Sequence, residues 1–352
     1  MTGQGVKRGR VRKRTGRAQT RLGDVAQQAG VSTATVSRVI NETGYVSDAI
    51  RRRVLRTVQK LNYYPNASAR TLASGRSHQI GLLISDISNP FFPELVKSIE
   101  QAAYRSGFEV MLAETDYDSE RLHRAVRRFL ERDVAGVILM ASELDFEFVE
   151  GLARRQVPLV FLDLRPAGGR TSTVAVDYGK GIDEAVHHLA GLGHRRLAYV
   201  GGPGRLASAA QRLDAFQSAV ARHIGTQSPP RLYEGDFRLE GGLRAASQIL
   251  EAHPRPTAVL AANDLMALGI MKACQARGLA VPRDISVVGF DDIVFAGLAD
   301  PPLSTVCLPR EELGRRAVDA LMVHLHGAAR DGREVQVPTH FVPRGSTGPA
   351  AG

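Results

Sequence analysis

Two hydrophobic patterns divide the chain. Before about residue 62, apolar residues recur every three or four positions, whereas from Ile80 they gather into short continuous runs. The first pattern predicts three short helices between residues 22 and 62. The second predicts buried strands, because a strand covered on both faces carries apolar residues throughout. The apolar runs occupy residues 80–85, 108–114, 136–141, 158–163, 174–177, 196–202, 257–263 and 285–291.

Amphipathic stretches with helical spacing separate these runs, so strands and helices are expected to alternate. Such alternation implies right-handed crossovers and parallel sheets, which places the body in the α/β class. The span from 78 to 346 is long for one sheet. We therefore predict two similar lobes, about 78–176 with 307–332, and 177–304 with 335–346.

Residues 22–41 have the pattern of two helices joined by a tight turn. Ala26 lies on the buried side of the first helix, Gly30 is placed to end it, and Ser32 is placed to cap the second. Ser47 is placed to cap a third. Helix, turn and helix in this order predict a helix-turn-helix, and a generic small helical bundle is the alternative.

The outer face of the second helix would present short or hydrogen-bonding side chains to a DNA major groove. Arg38 could donate two hydrogen bonds to a guanine. Hydroxyl groups near helix N-termini suit phosphate oxygens. The predicted DNA contacts in this region are Ser32, Thr33, Ala34, Thr35, Ser37, Arg38, Asn41 and Ser47.

Positive charge is concentrated at the amino-terminal end. Of the formal net charge of +10, residues 1–21 contribute +8 and contain no acid. Residues 22–77 contribute +5, which leaves −3 for the rest of the chain. This asymmetry indicates a polyanionic partner at one end only. We expect residues 1–21 to be a disordered basic arm that could add sequence-independent affinity for phosphates.

Several predicted strands end on an acid, an amide or a hydroxyl. Ligands of open parallel sheets bind at the carboxyl ends of the strands, so these side chains should converge between the lobes. Carboxylates and amides suit a polyhydroxy ligand, although each could instead cap the helix that follows. The strand-end residues are Ser85 and Asp86, Asp163, Asn263 and Asp264, and Asp291 and Asp292.

Signatures of other functional classes are not found. No apolar stretch is long enough to cross a bilayer, and the first residues do not form a secretion signal. Cys274 and Cys307 lack zinc-site spacing, and no nucleophile elbow, metalloprotease helix or P-loop occurs. The glycines at 201–204 indicate a tight turn. We expect no catalytic residue, no metal, no cofactor and no membrane association, and a cytoplasmic, nucleoid-associated protein with reduced thiols.

Six stretches resemble the LacI/GalR family of bacterial transcription regulators: DVAQQAGVSTATVSRVIN, LNYYPNASARTLASG, ISDISNPFF, GHRRLAYVGGP, AANDLMALG and VGFDD. The resemblance extends from Leu22 to about Arg344, and the preceding basic arm is longer than is usual in the family. It implies a lambda-repressor-like three-helix headpiece (22–64) and a hinge helix with linker (65–77). It also implies a two-lobed, periplasmic-binding-protein-like body for effector binding and dimerisation (78–346).

The resemblance also implies roles for particular residues. Thr33, Ala34 and Arg38 would contact bases, and Leu72 would insert into the minor groove from a hinge helix that forms only on DNA. A contact with the body is the alternative for Leu72, and Asn66 would be a further DNA contact. To the strand-end residues Asp86, Asp163, Asn263 and Asp291, the resemblance adds six further effector-site residues, namely Asn89, Phe91, Phe92, Ser208, Arg212 and Phe237.

The predicted function is a repressor that binds a pseudo-palindromic operator as a homodimer and responds allosterically to a small ligand. Leu206 stands where purine-binding members carry a second arginine, which favours a sugar or sugar derivative. The sequence after Arg344 lacks the leucine heptad of tetrameric members, which favours a dimer. A transport solute-binding protein would share the body without the headpiece, and an enzyme would need a catalytic motif.

Overall fold

The computed structural model describes residues 20–64, 77–141, 143, 151, 157–163, 171–327 and 332–351. These residues form two compact units, one before residue 77 and one from Ser77 onwards. The predicted contacts Asn66 and Leu72, most of the basic arm and the linker lie outside the described residues. Within the described ranges, no helix is both long and apolar enough to span a membrane.

Three helices form the amino-terminal unit. Helices of eight residues are too short to be stable alone, so their packing against one another must hold them. Small side chains let the three backbones approach closely around a core of Val25, Ala26, Ala29, Val36, Val39 and Val54. The helices are α1 (Leu22–Ala29), α2 (Thr33–Ile40) and α3 (Asp48–Lys60).

The turn between α1 and α2 has the predicted chemistry. Gly30 ends α1 with a φ of 62°, a left-handed conformation that costs glycine little. The Ser32 hydroxyl accepts a hydrogen bond from the Thr35 amide at 3.1 Å and so caps α2. Ser47 precedes α3, but its side chain makes no capping hydrogen bond, so that prediction is wrong. Asp48, in the first turn, instead supplies the negative charge that a helix N-terminus favours.

The second unit contains two six-stranded sheets with equivalent strand orders, as the alternating pattern predicts. The first sheet has the order β11-β5-β4-β3-β1-β2, and its strands are β1 (Gln79–Ile84), β2 (Glu109–Glu114), β3 (Gly136–Met140), β4 (Leu159–Leu162), β5 (Thr171–Asp177) and β11 (Glu334–Pro338). The second has the order β12-β10-β9-β8-β6-β7, and its strands are β6 (Leu197–Val200), β7 (Arg231–Tyr233), β8 (Ala258–Ala261), β9 (Ser286–Asp291), β10 (Ser304–Cys307) and β12 (His340–Val342). All these strand pairs are parallel except β10 with β12.

Strand β11 corrects one predicted boundary. We placed 335–346 in the second lobe, but β11 pairs with β5 of the first lobe, and only β12 joins the second sheet. The chain therefore changes lobe at Thr339. Only Val337 of β11 is fully buried, so this edge strand has no apolar run that could have revealed it.

Helices cover both sheets, and two of them pack unusually closely. A Cβ atom added to Gly242 would lie 2.1 Å from the Met266 carbonyl oxygen, and one added to Gly269 would lie 2.4 Å from the Leu239 carbonyl oxygen. The backbones of the two helices are therefore in direct contact. The helices of the second unit are α4 (Phe91–Arg105), α5 (Ser119–Glu131), α6 (Tyr178–Gly191), α7 (Ala207–His223), α8 (Leu239–Glu251), α9 (Asp264–Ala276), α10 (Val294–Leu298) and α11 (Arg310–Leu325).

Candidate functional site

A cavity lies between the two lobes at the carboxyl ends of the strands, where open parallel sheets bind ligands. The empty space among its lining atoms is about 520 Å³, including the mouth that opens to solvent. Both lobes contribute to its wall. The structure brings together eight of the predicted effector-site residues, namely Asn89, Phe91, Phe92, Asp163, Ser208, Arg212, Phe237 and Asp291.

Two predicted effector residues do not line the cavity. The carboxylate of Asp86 accepts hydrogen bonds from the Ser88 amide at 2.8 Å and from its hydroxyl at 2.5 Å. Asn263 accepts from the Met266 amide at 3.0 Å and donates to the Phe237 carbonyl at 2.7 Å. Asp86 therefore orders its own loop, and Asn263 caps α9 and holds the backbone of a cavity residue.

Asp264 and Asp292 are also occupied by structural contacts. Asp264 is fully buried and accepts from the Ile293 amide at 2.8 Å and the Thr305 hydroxyl at 2.5 Å. Asp292 pairs with Arg344 at 2.6 Å. Both side chains therefore have structural roles, but neither caps the helix that follows it, which was the alternative that the sequence left open.

The cavity also contains residues that sequence reasoning did not single out as ligand contacts. Tyr117 follows β2, Tyr178 follows β5, and Leu162 is the last residue of β4. The strand-end rule was applied to acids, amides and aliphatic hydroxyls, so it passed over the apolar Leu162 and the two tyrosines, which come after the ends of their strands. The remaining lining residues are Ser85, which that rule did identify, and Met140 and Ala141.

Four lining residues have a backbone conformation that non-glycine residues rarely adopt. Their φ angles are 58° at Tyr117, 73° at Asp163, 63° at Phe237 and 111° at Asp291. Each such residue costs on the order of 1–3 kcal/mol, and strained residues cluster where side chains must be aimed at a ligand. The concentration of strain at the ends of four strands supports this cavity as the functional site.

Arg212, on α7, supplies the buried positive charge of the cavity. Its guanidinium carbon lies 4.0 Å from the centre of the Phe290 ring, and Nη2 lies 3.5 Å from Asp291 Oδ1. Arg212 Nε and Asp291 Oδ1 have no hydrogen-bond partner among the described residues. Hydroxyl groups are chemically suited to both atoms, because a hydroxyl accepts from an N–H and donates to a carboxylate.

The two cavity carboxyls have altered acidities. Burial raises the pKa of Asp291 to about 6, although the neighbouring Arg212 opposes the rise. Burial also raises the pKa of Asp163 to about 6, against the stabilising hydrogen bond that the Tyr178 hydroxyl donates to it. Near neutral pH both groups are mainly carboxylates and can accept hydrogen bonds from a ligand.

Aromatic rings form the apolar walls of the cavity. Phe91 and Phe92 meet edge to face at 5.3 Å, and Tyr117 stacks with Phe237 at 6.4 Å. The Phe237 ring rests on Gly202, where a Cβ atom would lie 2.2 Å from the ring. Apolar walls with a few convergent polar groups suit a small ring whose edge carries hydroxyls.

No cluster of three or more potential ligands that could hold a metal occurs in the described part of the chain. Cys274 and Cys307 are free thiols. The residues that line the cavity offer a ligand hydrogen bonds, charge and aromatic surface.

The headpiece carries a second candidate site on the outer face of α2. Thr33, Ala34, Arg38 and Asn41 are exposed there, opposite the buried Val36 and Val39. Ser32 is exposed, and Thr35, Ser37 and Ser47 are partly buried. Two of the predicted contacts also support one another, since Asn41 Nδ2 donates to Ser37 Oγ at 3.2 Å.

Comparisons with known proteins match both units. Residues 21–66 match the sequence profile described as "Bacterial regulatory proteins, lacI family", and residues 186–347 match the "Periplasmic binding protein-like domain". The chain is 37% identical to the ribose operon repressor of Escherichia coli (strain K12) over 326 residues, which cover 92% of this chain and 98% of that protein.

Two further similarities extend over the same length. The HTH-type transcriptional repressor PurR of Photobacterium profundum is 33% identical, with 92% of this chain and 97% of that protein covered. A crystal structure of the lac repressor dimer bound to operator and the anti-inducer ONPF superposes with a TM-score of 0.84 at 34% identity. That match covers 94% of this chain and 99% of the other.

Proposed function

The chain belongs to the lacI family of bacterial regulatory proteins, and on that premise we propose how it acts. It is a DNA-binding transcription repressor controlled by a small ligand, and its relatives are repressors and not enzymes. The similarity includes the headpiece, which a transport solute-binding protein would lack. We propose that it binds a pseudo-palindromic operator as a homodimer, at the nucleoid of the cytoplasm.

The ligand we propose is a monosaccharide. The main support for this proposal is that two buried polar atoms, Arg212 Nε and Asp291 Oδ1, make no hydrogen bond within the described residues and belong to side chains that line the cavity together with its aromatic walls. A sugar hydroxyl both donates and accepts, so the hydroxyls of a sugar suit both kinds of atom. The similarity to a ribose operon repressor supports a pentose.

A purine is the second candidate, because the chain is also similar to PurR. Leu206 is fully buried and does not line the cavity, so this position offers a ligand no second cation. That difference favours the sugar.

For DNA, we propose that Thr33, Ala34 and Arg38 contact bases and that the hydroxyl and amide groups around α2 contact phosphates. Exposure of the three base-contacting candidates on one helix face supports this. We further propose that Leu72 and Asn66 contact the operator from the hinge.

Selection from a randomised DNA duplex library tests the whole proposal. The protein should enrich a pseudo-palindrome, and Arg38→Ala should lose that enrichment while retaining salt-sensitive binding. Arg56→Ala, which removes an exposed arginine of α3, is the matched control and should select the same sequence. Enrichment of the same sequence by Arg38→Ala would contradict the assignment.

The selected duplex then serves to test the ligand. D-Ribose should change its affinity for the protein, and hypoxanthine should not. Asp291→Asn should remove the response, whereas Asp319→Asn, at an exposed position of α11, should keep it. A response to hypoxanthine alone would replace the sugar by a purine.

A further inference from the structure

Two equivalent loops meet across the cavity, one from each lobe. The second strand of each lobe, β2 or β7, lies at the edge of its sheet beside the first strand. The loop of residues 115–118 follows β2 and leads into α5, and the loop of residues 234–238 follows β7 and leads into α8. The two loops therefore occupy corresponding places in the two lobes.

The loops touch through two adjacent pairs of residues. Arg238 Nη2 donates to Asp116 Oδ1 at 2.7 Å, and Arg238 Nε lies 3.9 Å from Asp86 Oδ2. The next residue of each loop contributes to the stacked pair of Tyr117 and Phe237. The rings line the cavity, whereas the side chains of Arg238 and Asp116 are 52% and 42% exposed. The ion pair thus lies on the solvent side of the aromatic pair.

Each loop is fixed to its own lobe. The Asp116 amide donates to the Ser85 carbonyl at 2.6 Å, and Asn263 donates to the Phe237 carbonyl at 2.7 Å. Asp116, Tyr117 and Phe237 all have positive φ angles, so both loops hold strained backbone in one conformation. If the lobes separate, the contacts that break are those between the loops, and the loops themselves keep their shape.

We propose that Asp116, Tyr117, Phe237 and Arg238 form a clasp that closes the cavity over its ligand. The clasp limits the site to ligands of a single ring, because a second ring passing through the mouth must separate the stacked rings and the ion pair. This inference rests on the proposed function, in which the cavity is the effector site.

The first test measures the dissociation rate of D-ribose from the purified full-length protein. Arg238→Ala and Asp116→Asn should each raise it about two- to five-fold, the range expected for an exposed ion pair. Asparagine suits the left-handed backbone at position 116. The double variant should raise the dissociation rate by less than the product of the two single effects, because both substitutions remove the Arg238–Asp116 ion pair. Some further effect of each substitution is expected, since Arg238 also lies near Asp86 and Asp116 near Arg121.

Arg244→Ala is the matched control. Arg244 pairs with Asp236 at 2.5 Å, within the second lobe, and its side chain is 64% exposed. The Arg244→Ala variant should leave the rate of ribose dissociation unchanged. Equal effects of Arg244→Ala and Arg238→Ala, or additive effects of Arg238→Ala and Asp116→Asn, would overturn the clasp.

Size selection gives a second readout. The wild-type protein should bind D-ribose more tightly than adenosine. Arg238→Ala should reduce the ratio of the two affinities about two- to five-fold. A ratio that stays the same would overturn the limit to a single ring.

Hydrogen exchange in the ligand-free protein tests the clasp independently of which ligand the cavity binds. Amides of residues 115–118, in the loop that Arg244 does not contact, should exchange faster in Arg238→Ala than in Arg244→Ala. If the wild-type protein binds neither probe, the proposed ligand class is wrong, and the exchange rates still decide whether the clasp exists. Equal exchange in the two variants would overturn it.

Discussion

Asp163 and Asp291 face the cavity from positions that are costly for the fold. Asp291 is buried and Asp163 is half-buried, and both backbones have positive φ angles. A low local dielectric makes an ionised group expensive, and it also strengthens any hydrogen bond that a ligand donates to that group. The same burial that raises the two pKa values therefore prepares the carboxylates for a hydroxyl-bearing ligand.

The two raised pKa values predict a specific pH dependence of stability. Each pKa rises from an ordinary value of 3.8 to about 6 in the folded protein. The folded state then binds more protons than the unfolded state between these pH values. The stabilising contribution of both groups is fully present below about pH 4 and is lost as the pH rises through about 6. Urea titrations across this window should be less pH-dependent in Asp163→Asn and in Asp291→Asn.

Ligand binding should depend on pH in the opposite sense. Protonation below about pH 6 removes a hydrogen-bond acceptor from each carboxyl, so the affinity for D-ribose should fall between pH 7 and pH 5. Calorimetry at the two pH values measures this change, and Asp319→Asn, at an exposed position, should keep the wild-type profile. Equal affinities at pH 5 and pH 7 would show that neither carboxylate accepts from the ligand.

Sequence patterns could locate these acids but could not assign each one a role. Asp264 and Asp291 both stand at the end of an apolar run, yet Asp264 is taken up by Thr305 and Ile293, which come from distant parts of the chain. The direction of each side chain depends on tertiary packing that no local spacing encodes. Tyr117 was missed because it follows its strand at a short distance and is not an acid.

At the scale of elements, glycines decide how closely α8 and α9 approach. Gly242 and Gly269 face backbone atoms of the opposite helix, which cannot move aside as a flexible side chain would. Close backbone contact strengthens the van der Waals attraction between the helices, but it leaves no space for a methyl group.

Gly242→Ala should therefore lower the free energy of unfolding by about 1–3 kcal/mol, the usual cost of overpacking. Urea unfolding followed by circular dichroism measures the change. Gly191→Ala is the matched control in a helix, since nothing lies within 4 Å of its added Cβ atom. That variant should be neutral or gain up to about 1 kcal/mol. Equal stability of the two variants would mean that α8 and α9 can move apart freely.

The predictability of strands followed their apolar runs and not burial alone. Strand β2 was recognised although none of its residues is fully buried, and β10, which begins with the polar Ser304 and Thr305, was missed although it is mostly buried. Strands such as β3 and β4 are buried along their whole length, and their apolar runs were recognised from sequence. The edge strands β7 and β11 are short and mostly exposed, so they lack an apolar run and were missed. The helix-turn-helix was recognised because Gly30 and Ser32 determine its turn locally.

At the scale of the whole body, Arg310 connects the walls of the cavity. It donates to the Asp291 and Asp292 carbonyls at the end of β9 and to Glu94 of α4 at 2.8 Å. Helix α4 begins with the cavity residues Phe91 and Phe92. A ligand that shifts the end of β9 therefore acts on a helix of the other lobe. Such coupling lets a ligand favour one arrangement of the lobes over another. The coupling free energy between two allosteric sites is typically about 1–3 kcal/mol.

The charge distribution of the chain leads to a prediction about DNA affinity. Residues 1–20 contain seven lysines and arginines and no acid, whereas the chain after residue 77 has a net charge of −3. Affinity for DNA falls as the salt concentration rises, because each phosphate that the arm neutralises releases counterions. Each such contact makes the slope of log affinity against log salt concentration steeper by about 0.9. Deleting residues 1–20 should make this slope shallower and leave the selected DNA sequence unchanged.

A scrambled arm of identical composition is the control for this deletion. It should keep the wild-type slope, because counterion release depends on the number of charges that contact phosphates and not on their order. An unchanged slope after deletion would show that the arm does not contact DNA. A change of preferred sequence in the scrambled variant would instead assign base contacts to the arm, because only contacts to base edges and to groove shape distinguish one duplex from another.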